Sequence, residues 1–85
     1  MWIYSRDSKN NLNSFIVSYI MDSNPPSIGI YKVDFNNSKS FTLLQELSYS
    51  HKNQITDDEI KKVAINFKQS LIDKGFEILP SLFER

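Results

Sequence analysis

Apolar and polar positions divide the chain into five short runs that alternate like strands and one longer stretch with a helical period. Trp2 to Arg6 predicts an edge strand, closed by the polar, turn-forming run Asp7 to Asn13. Ser14 to Met21 is β-branched and aromatic, which suits a pleated surface. It stops at Asp22-Ser23-Asn24-Pro25-Pro26-Ser27, where two prolines remove backbone donors and fix φ. Ile28 to Phe35 and Phe41 to Ser50 are the next two strands. Asn36-Asn37-Ser38-Lys39-Ser40 joins them, a loop of hairpin length whose asparagines tolerate the left-handed region.

The period changes at Thr56. Thr56-Asp57-Asp58-Glu59 has the form of a capping box, in which Thr56 and Glu59 satisfy otherwise unpaired amides reciprocally, and Ile55 and Ile60 sit at the staple positions. Ile60, Val63, Ala64, Phe67 and Leu71 form one apolar stripe, and acids at the start with Lys74 at the end complement the helix dipole. A helix is predicted from Thr56 to Lys74. Gly75 ends it in a Schellman-type stop that returns Phe76 onto Leu71. Phe76 to Leu79 then adds a short strand before Pro80, and Leu82 and Phe83 partly order the tail.

The order ββββα with a short final β predicts one small α+β domain over residues 1–85: an antiparallel sheet of four to five strands with one amphipathic helix on one face. The order leaves open whether the final strand pairs beside the first or the fourth. A helix of this length spans ~28 Å, enough to cross the sheet but not to cover both sides.

Alternation also assigns faces, because successive strand side chains point to opposite sides. Phe15, Val17, Tyr19 and Met21 are expected to face the helix, with Tyr31, Val33 and Phe35 and with Phe41, Leu43, Leu47 and Tyr49. Phe35 opposite Phe41 would set Val33 beside Leu43. The open face then carries Ile3, Ile16, Ile20, Ile28, Ile30 and Leu44 amid Ser18, Lys32, Asp34, Thr42 and Glu46.

Composition narrows the class. Of 85 residues, 40% are apolar and 13% aromatic, too many for a disordered tail and too interrupted for a membrane span. There is no cysteine, which excludes disulfide staples, thiolate zinc sites and a cysteine nucleophile. Ten basic and ten acidic side chains cancel, and they cancel within each half of the chain, so neither a polyanion nor an anionic membrane surface has a field to follow. Met1-Trp2-Ile3-Tyr4-Ser5-Arg6-Asp7 lacks the basic and apolar regions of a secretory signal, so the chain reads as cytoplasmic, and Asn36-Asn37-Ser38 is then no glycosylation acceptor. Abundant Ile, Asn and Lys with one alanine is the bias of AT-rich codons, pointing to a low-GC bacterium or one of its mobile elements.

Catalytic equipment is thin. The sole histidine, His51, falls in the linker Tyr49-Ser50-His51-Lys52-Asn53 and reads as a solvated loop residue rather than a general base. Asp57, Asp58 and Glu59 lack the alternating oxygen ligands and central glycine of a calcium loop and read as caps. Two glycines, Gly29 and Gly75, cannot build a phosphate cradle, and no G-x-S-x-G elbow exists. No catalytic residue, metal or cofactor is expected. Lys61, Lys62, Lys68 and Lys74 are offset by Asp57, Asp58, Glu59 and Asp73, with Asp57–Lys61 and Asp58–Lys62 at the favourable spacing for helix pairs.

The expectation is a non-enzymatic module that binds a protein partner or an identical subunit by occupying a surface. Small inhibitors and anti-defence proteins of phages and plasmids share this profile. Its contact residues would be Ile16, Ile20, Ile28, Ile30, Lys32, Leu44 and Glu46 on the open face, with Ile65 and Ile72 as a second seam unless the returning segment covers them. A chain this short buries only ~60–65% of its unfolded surface, which adds to the case for a partner. The alternative is a weak nucleic-acid-binding domain that uses the lysine-bearing helix or the sheet.

Overall fold

A computed structural model describes residues 1–34, 40–50 and 54–80. The strands are β1 (Trp2–Arg6), β2 (Leu12–Tyr19), β3 (Ser27–Asp34), β4 (Ser40–Ser48) and β5 (Glu77–Leu79), with the helix α1 (Asp57–Asp73) before the last. They form one antiparallel sheet in the order β4-β3-β2-β1-β5, an open α+β arrangement. The final strand pairs with β1, so the chain must travel from one edge of the sheet to the other between β4 and β5. The helix makes that crossing, which is why it lies across one face.

Local chemistry closes the helix as the pattern predicts, whereas β2 runs from Leu12 to Tyr19 rather than from Ser14 to Met21. Thr56 caps the helix, its Oγ1 accepting from the Glu59 amide at 3.3 Å, while the Glu59 carboxylate accepts from the Thr56 amide at 3.4 Å and the Thr56 hydroxyl at 3.0 Å. At the other end Gly75 adopts φ +93°, its amide donates to Ile72 O at 3.0 Å, and the Phe76 amide donates to Leu71 O at 2.9 Å, completing the Schellman stop. No ion pair closes between Asp57 and Lys61 or Asp58 and Lys62, as suits exposed side chains with little to gain. The β1–β2 turn is organised by Asp7, whose Oδ1 accepts from the amides of Lys9 and Asn11, both at 2.9 Å, with Asn10 at φ +68°.

Val63, Ala64 and Leu71 of the helix bury against Ile3, Phe15, Val17, Ile28 and Ile30, and Phe67 meets Phe15 edge-on at 5.0 Å between ring centres. This reverses the expected faces of β3. Ile28 and Ile30 are 0% and 2% exposed beneath the helix, together with Ile3, while Tyr31 and Val33 turn away from it. The ladder explains the reversal: Ile30 lies opposite Val17, and Tyr31 opposite Ile16. Both sides of β3 are apolar, so alternation within that strand could not choose between them.

In β4 a second correction follows from a bulge. Val33 pairs with Phe41 and Tyr31 with Leu43, but Ile30 pairs with Gln45, leaving Leu44 as the extra residue. Phe41 and Leu43 therefore lie on the open face, and Leu47 and Tyr49 pack against the core. Val33 sits opposite Phe41 rather than Leu43; Phe35, its loop, His51 and the tail from Ser81 lie outside the described residues. Tyr19 and Met21, expected inside, are exposed at and beyond the end of β2.

Candidate functional site

The registers align the open face into rows that cross the sheet. One row runs Leu43, Tyr31, Ile16, Trp2 through β4, β3, β2 and β1. The next runs Phe41, Val33, Ser14, Tyr4, Leu79 through all five strands. Eight of these nine side chains are apolar or aromatic, so the sheet carries an apolar band, interrupted only at Ser14 within these two rows, on the side turned from the helix.

The band is built in two layers. Tyr4 and Val33 are buried at its floor, whereas Trp2, Phe41 and Leu43 stand 41%, 56% and 47% exposed. Trp2 stacks on Tyr4 with ring centres 6.0 Å apart and planes 5° from parallel. Tyr31 lies along its own strand over Gly29, where a Cβ would stand 2.8 Å from the ring. Gly29 thus supplies a shelf for the aromatic ring. Between Ile16, Ile20, Tyr31 and Phe41 is a hollow of about 310 Å3, also bordered by Ser18, Tyr19 and Met21.

Charge borders the band without dominating it. Arg6 and Glu77, on the row beyond Tyr4 and Leu79, approach to 3.8 Å, and Glu46 lies opposite Gly29 at the other side. On the helix, Lys68 is half-buried beside a cavity that Met1, Ile3 and Ile78 also line, whereas Lys61, Lys62 and Lys74 are exposed. The four lysines do not form one surface.

The residues expected at the site scatter. Ile16 and Ile20 meet at the hollow, Glu46 flanks the band, and Leu44 is exposed at the bulge. Lys32 is exposed but shares the helix side of β3 with the buried Ile28 and Ile30, so these three leave the open face. Ile65 and Ile72 are exposed on the helix, and Ile78 packs against the core rather than over them. Trp2, Tyr4, Tyr31, Phe41 and Leu43 join them on the open face, opposite to the side that alternation assigns to Tyr31, Phe41 and Leu43. The adjacent pair Leu43-Leu44, which breaks alternation, and Gly29 amid β-branched residues are the signals that mark the bulge and the close approach.

Among the described residues two titrations are displaced, those of Asp7 and the Met1 ammonium. Backbone donation from Asn11 holds the Asp7 carboxyl below its ordinary range, and partial burial lowers the Met1 ammonium, which donates to Val17 O at 2.6 Å. Among the described residues no cluster of His, Cys, Asp and Glu could hold a metal ion, and no helix is long and apolar enough to cross a membrane. No family model, curated protein or solved structure matches this chain.

Proposed function

We propose that this chain is a non-enzymatic protein-binding module that acts by occupying a surface, and that its contact face is the apolar band turned from the helix. The observation that carries this reading is the exposure of Trp2, Phe41 and Leu43 over a floor of Tyr4, Tyr31 and Val33 in adjoining rows. Isolated exposed apolar side chains need no explanation, but a contiguous patch on a small domain marks a contact surface. Covering the exposed parts of those three side chains contributes on the order of 2–4 kcal/mol before association costs.

Exchanging Trp2, Tyr31 and Leu43 for serine tests the reading. The parent chain should bind a hydrophobic dye and retain a specific protein from cells of its source, and the variant should lose both while keeping its helical circular dichroism. An unchanged dye titration and an unchanged captured protein would refute it. Salt-sensitive binding of oligonucleotides, lost when Lys61, Lys62 and Lys74 become glutamate, would instead establish the nucleic-acid reading.

A further inference from the structure

The two edges of the sheet differ in how they are closed. β5 is three residues long and Pro80 follows it, so that edge offers little backbone for another strand. β4 is nine residues long, holds neither proline nor lysine, carries one charge, Glu46, and is exposed at every residue except Leu47. The helix packs over the middle of the sheet, and of β4 only Leu47 is drawn against the core, so the run Ser40 to Leu44 stays exposed. Among the described residues one device protects this edge, the bulge at Leu44, and it lies beyond the run Ser40 to Leu43.

We propose that two copies of this chain join through β4, antiparallel about a two-fold axis at Thr42, making one continuous sheet of ten strands. The inference rests on the strand edge rather than on the apolar face, and it stands if that face has no partner. In this register Thr42 faces its own mate, Phe41 faces Leu43 of the other copy, and Leu43 faces its Phe41. Opposed residues share a face, so the two apolar bands become continuous. Pairing ends at Leu44, where the bulge interrupts the strand. The two Glu46 carboxylates stand eight positions apart, about 25 Å, so no like charges meet. With zero formal net charge on each chain, nothing opposes their approach. Among the described residues β5 offers three residues of edge against nine in β4, so pairing through β4 about a two-fold axis closes at two copies.

The absence of cysteine makes the axis directly testable. In a Thr42→Cys variant the two thiols come from α-carbons 4.5–5.5 Å apart across the pair, within disulfide reach, so oxidised glutathione should convert the full chain to a covalent dimer. A Ser40→Cys variant holds its thiols about 13 Å apart and should cross-link at least tenfold more slowly. Sedimentation of the unmodified chain should show twice the monomer mass, Thr42→Lys should reduce it to monomer, and Trp2→Ser, at the far side of the sheet, should leave the dimer intact. A monomeric mass at millimolar concentration, or equal cross-linking of the two cysteine variants, overturns the proposal. A dimer split by Trp2→Ser but not by Thr42→Lys would overturn it while supporting the apolar face as the contact.

Discussion

Ser5 is fully buried on the helix side of β1, opposite Asn13 and Ile78, and its Oγ finds no hydrogen-bond partner among the described residues. A hydroxyl in that state loses its water without replacement. Ser5→Ala should therefore stabilise the fold by about 1 kcal/mol, read as a higher urea midpoint with an unchanged slope. A lower midpoint would mean that the hydroxyl is bonded. Gly75 isolates a different term, since an added Cβ there meets nothing within 4 Å and only the positive φ resists it. Gly75→Ala should cost about 1 kcal/mol and Gly75→Asn less, because asparagine tolerates the left-handed region; equal losses in urea melts would refute backbone strain as the cause.

Among the elements, the β1–β2 turn carries a pH dependence. Asp7 accepts two amide hydrogen bonds through one carboxylate oxygen, and donation to the charged form lowers its affinity for a proton in the fold. The stabilisation is complete above the ordinary aspartate range and is lost as pH falls through the lowered value. Asp7→Asn should flatten the loss of thermal midpoint in that acid window, measured against the parent at each pH; parallel curves would show that other carboxylates control it. This turn, the capping box and the glycine stop were legible in the sequence because each is set by a few adjacent residues. The face of β3 was not, since Ile28 and Ile30 compete with Tyr31 and Val33 and the winner depends on pairing with β2. The bulge compounds this, because one extra residue at Leu44 separates Phe41 and Leu43 from Leu47 although their spacing is even. Of the expected contact residues, Ile16, Ile20, Leu44 and Glu46 remain at or beside the open face, and the aromatic members of the band replace the rest.

For the whole molecule, the order β4-β3-β2-β1-β5 decides what a single helix can do. Carrying the chain between opposite edges, it covers the central strands on one side and leaves both the apolar band and the β4 edge accessible. A short neutral chain thus has two surfaces suited to association, at right angles to each other. A contact on the face and a pairing at the edge are compatible, so a dimer of this chain would present a doubled band to one larger target.

Trp2 is the chain's sole tryptophan, and it sits on this band, half-exposed and stacked on Tyr4. Its indole is consequently an intrinsic optical reporter of the β1 end of the band and of the cavity beside Lys68. A partner that covers Trp2 should shift the emission to shorter wavelength, whereas one confined to the exposed side of the helix or to the β4 edge should leave the spectrum unchanged. The chain can therefore report where it is touched without a label.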